Sequence, residues 1–228
     1  MTTSIAERIA TVRQHLPASV QLIAVTKQVS VAAMREAYSA GVRDFGESRV
    51  QEAASKQAEL RDLTGITWHF IGGLQSNKAK KALEQFQWIH SLDSLKLAQR
   101  LNQLAQKLDS QPQVCLQIKI LSDPNKSGWT VPELLDDLSQ LNQCENLQIQ
   151  GLMTIPPLGL SEIEILSVFE RTRELAAKIQ QQNWSHIQMQ QLSMGMSDDY
   201  QLAVRAGTTM VRLGRTLFGE RLALDSSS

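Results

Sequence analysis

One lysine, Lys27, stands at the end of an apolar run and has the clearest chemical potential in this sequence. It follows residues 22–26 (LIAVT), which have the length and composition of a β-strand. Burial at such a strand end disfavours the ammonium form and lowers the pKa of a lysine, which leaves a free amine. A free amine can form a Schiff base with an aldehyde. The alternative is a lysine that packs its methylene stem on the strand and keeps its ammonium in solvent.

Glycines, a hydroxyl and a cation late in the chain could hold an anion. Ser193 and Gly195 follow the seventh apolar run, and Gly214 and Arg215 follow the eighth. Gly214 permits close approach to the backbone, and the N–H groups that begin the short helix after it would face an anion. The alternative is that these glycines only form tight turns. Because both segments occur together, the sequence favours a phosphate site, centred on the end of the eighth run.

An arginine lies inside the last apolar run, residues 210–213. A buried guanidinium keeps its charge and needs an acceptor. Two interpretations of Arg212 stay open, namely an ion pair with a carboxylate such as Glu47 and donation to a ring nitrogen or carboxylate of a ligand. Together with Lys27 and a phosphate site, Arg212 fits a phosphorylated aldehyde such as pyridoxal phosphate (PLP). A sugar-phosphate aldolase would use the same amine and phosphate site.

These residues are positioned by short apolar runs that alternate with longer amphipathic segments. Eight runs are predicted as strands, each followed by a helical pattern, at 22–26, 42–47, 66–71, 88–91, 114–121, 147–155, 187–192 and 209–213. An extra helix precedes the first strand. The pattern predicts an α/β protein with a single-domain (β/α)8 TIM barrel over residues 1–225 and a disordered tail at 226–228. In such barrels functional residues lie at the C-terminal ends of the strands, where those named above are predicted.

An open doubly wound sheet is the alternative fold. It is disfavoured because no glycine-rich dinucleotide fingerprint follows the first predicted strand. The composition is that of a globular chain, with 228 residues, 42% hydrophobic residues and a formal net charge of +0. That balance argues against nucleic-acid binding, which needs a basic excess.

No apolar run in the sequence approaches the ~20 residues of a membrane span, and the N-terminus has no signal-peptide pattern. We therefore expect a cytoplasmic protein without a membrane contact. The two cysteines, Cys115 and Cys144, show no metal-ligand spacing, so no metal site is expected.

Several motifs resemble those of the YggS/PROSC family of pyridoxal phosphate homeostasis proteins. They lie at 22–27, 45–47, 68–78, 192–197, 211–214 and 218–220, and span almost the whole chain. The resemblance implies a barrel like the N-terminal domain of bacterial alanine racemase, with PLP held as a Schiff base on Lys27. It also implies that Arg212 faces the pyridine nitrogen, and that the phosphate is held by Ser193, Gly214 and Arg215.

Four further residues are candidate cofactor contacts. Gly195 belongs to the 192–197 motif and Asn77 to the 68–78 motif. Ser48 stands where the family usually has asparagine, whose side chain is longer. His90 ends the fourth predicted strand and is the group best placed for proton transfer, with a structural histidine as the alternative.

The resemblance implies a carrier or regulator in vitamin B6 and amino-acid homeostasis, without established catalysis. Racemisation needs a base on each face of the substrate carbon, and the second base of the racemase comes from another domain, for which we expect no room after the eighth strand. A charged Arg212 also disfavours protonation of the pyridine nitrogen and weakens the ring as an electron sink. A PLP-dependent amino-acid racemase is the alternative function. The expected partners are PLP and PLP-dependent apoenzymes or a regulatory protein, and the expected state is a monomer.

Overall fold

The computed structural model describes residues 3–220, and the tail predicted at 226–228 lies outside that range. The strands are β1 (Gln21–Val25), β2 (Asp44–Glu47), β3 (Thr67–Phe70), β4 (Trp88–Leu92), β5 (Gln113–Lys119), β6 (Trp129–Thr130), β7 (Gln148–Thr154), β8 (Ile187–Ser193) and β9 (Met210–Leu213). The helices are α1 (Ile5–His15), α2 (Val31–Ser39), α3 (Val50–Glu59), α4 (Ala79–Gln85), α5 (Leu95–Leu108), α6 (Val131–Leu141), α7 (Glu162–Gln180), α8 (Tyr200–Arg205) and α9 (Arg215–Phe218). A 3₁₀ turn, Ser76–Lys78, precedes α4.

Eight parallel strands close into a barrel. Their order is β1-β2-β3-β4-β5-β7-β8-β9, and β9 pairs with β1 to complete the circle. The prediction of a (β/α)8 barrel with an extra N-terminal helix is confirmed, and the alternative of an open doubly wound sheet is wrong. The two-residue strand β6 pairs with the end of β5 and was not predicted, because two residues cannot show an alternating pattern.

Local signals in the sequence begin the helices that cover the barrel. Ser4 and Glu7 form a capping box at the start of α1, and Ser161 and Glu164 form another at the start of α7. Each box satisfies backbone N–H groups that the first helical turn leaves without a partner. Within residues 3–220, no helix is long and apolar enough to cross a membrane.

Strand alternation divides the core into two unequal parts. The large apolar cluster lies between the sheet and the helices, whereas the barrel interior holds only a small one: Ile23, Trp88, Cys115, Met153 and Met210. Side chains of alternate residues point to opposite faces of a strand. The same parity also turns polar side chains inward, among them His69, His90, Ser193 and Arg212, all at most 4% exposed. These groups need partners inside the barrel, and their contacts shape the site.

Candidate functional site

A cavity of about 200 Å³ opens at the C-terminal mouth of the barrel. It is lined by Val25, Lys27, Ile71, Ile155, Met196, Ser197, Asp198, Arg212, Gly214 and Arg215. The structure thus brings Lys27 from the end of β1 together with Arg212 of β9 and the two residues that follow β9. Four of the residues proposed from the sequence share one cavity, although 188 positions separate Lys27 from Arg215.

The backbone on both sides of Lys27 is held by α3. The Lys56 ammonium donates to the carbonyl oxygen of Thr26 at 2.6 Å, and the amide of Gln28 donates to Glu52 Oε1 at 2.5 Å. Gln28 has φ of +60°, a left-handed conformation that is uncommon for a residue with a side chain. Two hydrogen bonds therefore position the turn that carries Lys27.

A compact group of charges, here called the Lys56 cluster, comprises Thr26, Glu47, Glu52 and Lys56. Lys56 Nζ lies 2.8 Å from Glu47 Oε1 and 2.7 Å from Glu52 Oε1. Thr26 Oγ1 donates to the same Glu47 oxygen at 2.6 Å, whereas Glu47 Oε2 is buried and has no partner among the described residues. Burial raises the pKa of Glu47, although Lys56 and Thr26 oppose the shift. Burial also acts on Glu52, but the hydrogen bonds from Lys56 and Gln28 outweigh it and lower its pKa.

The guanidinium of Arg212 is buried at the base of the cavity. Its Nη1 donates to the carbonyl oxygen of Ser193 at 2.6 Å and to the hydroxyl at 2.7 Å, and its Nη2 donates to the carbonyl oxygen of Thr154 at 3.2 Å. Burial lowers the pKa of Arg212 to about 10, so the group stays charged at neutral pH. The ion pair with Glu47 considered from the sequence is wrong, because Glu47 binds Lys56 on the outer face of the sheet.

A line of hydrogen bonds, here called the histidine chain, continues from Arg212 through the barrel. His90 Nδ1 lies 2.7 Å from Ser193 Oγ, and His90 Nε2 lies 2.9 Å from His69 Nδ1. His69 Nε2 lies 3.1 Å from Asp44 Oδ1. Burial lowers the pKa of both histidines, that of His90 well below its ordinary value, so both rings are neutral.

The lining of the cavity also includes the exposed cation Arg215. Its Nη2 pairs with Asp198, and its Nη1 lies 3.7 Å from Glu220. The amide of Thr216 donates to Ser197 Oγ at 3.3 Å. The side chains of Arg215 and Asp198 are 46% and 78% exposed, so water screens their attraction and an anionic ligand can compete for the arginine.

Ser193 and Gly195 lie behind the cavity wall. The Ser193 hydroxyl is fully buried and engaged by His90 and Arg212, so its predicted contact with a phosphate stays a prediction. Gly195 has φ of +96°, and a Cβ there would lie 2.6 Å from the Cβ of Ala203. Its carbonyl accepts from the Arg212 amide at 2.9 Å. This contact fits the tight-turn alternative that the sequence left open for the glycine.

Three other predicted contacts also lie outside the lining of the cavity. His90 is fully buried below it, in the histidine chain. Ser48 lines a separate cavity of about 370 Å³, together with residues such as Arg49 and Lys78. Asn77 is exposed in the 3₁₀ turn. Their contacts with a cofactor stay predictions.

Sequence reasoning missed several groups that shape the site. Ile71, Ile155 and Met196 line the cavity and were not proposed, because apolar residues at strand ends carry no chemical signal. Lys56 was also missed, although Glu52 stands four residues before it on one helix face. That spacing was readable in the sequence, whereas the contact of Lys56 with Thr26 was not.

Comparisons with known sequences match nearly the whole chain. Residues 2–222 match the family described as alanine racemase, N-terminal domain. A pyridoxal phosphate homeostasis protein of Synechocystis sp. is 53% identical over 207 residues, which cover 91% of this chain and 94% of that protein. The protein of the same name in Pseudomonas aeruginosa is 43% identical over 230 residues, with 96% of each chain covered.

Solved structures agree with these matches. PipY of Synechococcus elongatus, solved with PLP bound, has a TM-score of 0.91 and 53% identity, covering 95% of this chain and 100% of that one. PipY without PLP has a TM-score of 0.92 and 55% identity with the same coverage. Alanine racemase of Clostridium difficile has a TM-score of 0.72 at 16% identity, covering 97% of this chain and 58% of the racemase, and shows a shared fold alone.

Proposed function

Because this chain belongs to the family of pyridoxal phosphate homeostasis proteins, with the alanine racemase N-terminal domain fold, we propose that it holds pyridoxal 5′-phosphate on Lys27 for PLP and amino-acid homeostasis. The observation that carries the proposal is the single cavity shared by Lys27, Arg212 and Arg215. PLP supplies an aldehyde that forms a Schiff base with an amine, and a ring that withdraws electrons. Both features have matching groups in this chain.

The donor set of the cavity fits the cofactor. Three of the five N–H groups of the Arg212 guanidinium donate to Ser193 and Thr154. A buried cation with five N–H donors that lines the cavity suits a pyridine nitrogen, which only accepts. Arg215 and the Ser197 hydroxyl lie in the same lining and would hold the phosphate, together with the backbone at Gly214.

The lining supports a carrier rather than a catalyst. Among the described residues that line the cavity there is no histidine or tyrosine, and the carboxylate of Asp198 lies beside Arg215, at the proposed phosphate position. The two buried histidines lie below the cavity and are engaged in the histidine chain. We therefore expect Lys27 to exchange a proton on one face of the substrate carbon, and the lining residues within 3–220 offer no histidine or tyrosine as a base for the second face.

Borohydride reduction followed by peptide mapping tests the attachment. We expect one reduced pyridoxyl group on the peptide that contains Lys27, and a visible absorbance band that Lys27→Ala abolishes. The matched control is Lys78→Ala, which removes a lysine from the neighbouring cavity and should leave the band unchanged. A label on another lysine, or a band that persists in Lys27→Ala, would contradict the proposal.

Exchange of the α-proton distinguishes the carrier from the racemase alternative. Holoprotein is incubated with single enantiomers of amino acids in deuterated water, and the α-deuterium content is measured. We expect no exchange above that of free PLP. Exchange that depends on the protein and is lost in Lys27→Ala would establish the racemase reading.

We also propose that the bound PLP is delivered to PLP-dependent apoenzymes or read by a regulatory protein, from a cytoplasmic monomer. Light scattering after size exclusion measures the oligomeric state. Delivery is measured as the rate at which holoprotein reactivates an apoenzyme. The reference is the rate with free PLP at the same concentration, supplied through a dialysis membrane. Equal reactivation rates would contradict direct transfer to apoenzymes, and the remaining proposal would be a regulatory protein that reads the bound PLP.

A further inference from the structure

The two ends of the histidine chain determine the direction of every hydrogen bond within it. The Arg212 guanidinium can only donate, and the Asp44 carboxylate accepts. Asp44 Oδ1 also accepts from Gln21 Nε2 at 2.8 Å, which keeps that oxygen an acceptor. Between these ends stand one hydroxyl and two neutral imidazoles, each able to donate once and accept once along the chain.

Only one arrangement of protons satisfies all four contacts. His69 donates from Nε2 to Asp44, so its Nδ1 must accept. His90 therefore donates from Nε2 to His69 Nδ1, and its own Nδ1 accepts from the Ser193 hydroxyl. The Ser193 oxygen in turn accepts from Arg212 Nη1. Both histidines are then Nε2–H tautomers, and every donor points away from the cavity.

The histidine chain crosses the barrel from one mouth to the other. Asp44 begins β2, and its side chain is 20% exposed. It lines a cavity of about 490 Å³ at the N-terminal mouth, with Gln21 and Arg43. At the other end Arg212 lines the proposed cofactor cavity. A carboxylate in contact with solvent is thus connected to the cavity at the opposite mouth through buried groups alone.

We infer that Asp44, His69, His90 and Ser193 are positioning residues for Arg212, and that Asp44 controls cofactor retention from the opposite mouth of the barrel. Ser193 can hold the guanidinium as an acceptor in one defined orientation only while His90 takes its proton. His90 is free to do so only while Asp44 sets the tautomer of His69. The effect on the cofactor rests on the proposed function, whereas the direction of the hydrogen bonds in the histidine chain does not.

The first test is the tautomeric state in the cofactor-free protein, read from long-range ¹H–¹⁵N spectra of ¹⁵N-histidine-labelled samples. We expect His69 and His90 to be Nε2–H tautomers. In Asp44→Leu the acceptor is gone, so both rings should lose their single tautomer. Asp62→Leu, which removes an exposed carboxylate paired with Arg35, should change neither ring. An Nδ1–H tautomer at either histidine, or unchanged rings in Asp44→Leu, would overturn the inference.

The second test is cofactor release from the holoprotein, measured as loss of the bound absorbance band during trapping of free PLP. We expect Asp44→Leu to release PLP about fivefold faster than the wild type, the effect of one lost buried hydrogen bond. Asp44→Asn should restore slow release, because its amide oxygen can still accept from His69. If Asp44→Leu does not fold, Ser193→Ala interrupts the chain at its other end and should show the same increase.

Release at the wild-type rate in both Asp44→Leu and Ser193→Ala would overturn the role in cofactor retention. A purely structural role would lower stability without moving the tautomers or the absorbance maximum of the bound cofactor. If the wild type binds no PLP, the proposed function fails, and the tautomers of the cofactor-free protein alone then decide the inference.

Discussion

Two buried polar systems reach the same cavity from opposite faces of the sheet, and they are built differently. The Lys56 cluster lies between the sheet and α3, where one ammonium contacts three oxygens within 2.8 Å. The histidine chain lies inside the barrel and extends in a line, with its neutral members between a cation and a carboxylate. The Lys56 cluster holds the backbone next to Lys27, and the histidine chain holds the guanidinium of Arg212.

The difference shows how burial limits each design. A buried charge needs its countercharge close by, because desolvation is only offset at short distance, so the cluster is compact. Neutral groups carry no such penalty once they are hydrogen-bonded, so a chain of them can be long. We therefore expect loss of one member of the Lys56 cluster to lower the stability of the fold most. Loss of one member of the histidine chain should act mainly on the orientation of the Arg212 guanidinium.

The largest effect is expected for Lys56→Met. The substitution removes the ammonium and leaves the fully buried Glu47 carboxylate uncompensated, which should lower the free energy of unfolding by about 3–5 kcal/mol. Urea denaturation measures it. The control is Lys80→Met, which removes a 62% exposed ammonium 3.8 Å from Glu84 and should change nothing measurable. Equal effects of the two substitutions would remove the distinction between buried and surface charge.

A smaller effect is expected for Ser193→Ala. Arg212 loses one acceptor but keeps the Ser193 and Thr154 carbonyls, so the free energy of unfolding should fall by about 1.5–3 kcal/mol, the range for a hydrogen bond to a charged group. Ser76→Ala, at an exposed position, is the control. If Ser193→Ala destabilised the fold more than Lys56→Met, the comparison between cluster and chain would be reversed.

Glu47→Gln probes the cluster through pH. Burial raises the pKa of Glu47 above its ordinary value of 4.5, so the folded protein binds this proton more tightly than the unfolded chain does. The stability contributed by Glu47 therefore falls as the pH rises from 4.5 through the folded-state pKa. The variant cannot titrate here, so its stability relative to the wild type should increase over that interval. Urea denaturation across pH checks this, and a constant difference would show that Lys56 fully compensates the burial.

The smallest effect is expected for Asp62→Asn, which breaks a surface ion pair. Arg35 lies 2.7 Å from Asp62, as close as the partners of Lys56, but the two side chains are 41% and 57% exposed. Water already solvates both charges, so urea denaturation should show no measurable change. A loss comparable to that of Lys56→Met would mean that distance, rather than burial, sets the strength of these contacts.

The sequence was sufficient to predict the barrel and several residues that line the cavity, but not the residues that these contact. Apolar runs indicated the eight barrel strands, and the rule for strand ends placed Lys27, Arg212, Gly214 and Arg215 together. The partners of these groups were not predictable, because each comes from a strand or helix whose rotation about its own axis the sequence leaves open. Glu47 illustrates this, since it was considered as a partner of Arg212 but faces outward to Lys56.

The histidine chain was out of reach for a related reason. His69 and His90 stand in two different apolar strands, where alternation sorts the residues of each strand into two faces but does not tell which face is the barrel interior. Their contact also depends on the stagger of the closed barrel, which brings His90 to Ser193 across the interior. Ser193 was predicted at the rim, but its side chain lies in the barrel interior. The sequence could not separate the two positions, because a shift of one residue along β8 is enough to exchange them.

The hydrogen bond between His90 and Ser193 joins residues that are 103 positions apart in the chain. Asp44, His69 and His90 come from β2, β3 and β4, whereas Ser193 and Arg212 come from the last two strands. Contacts of such long range form only after the entropy of closing a long loop has been overcome. The histidine chain can therefore be complete only once the two halves of the barrel have met.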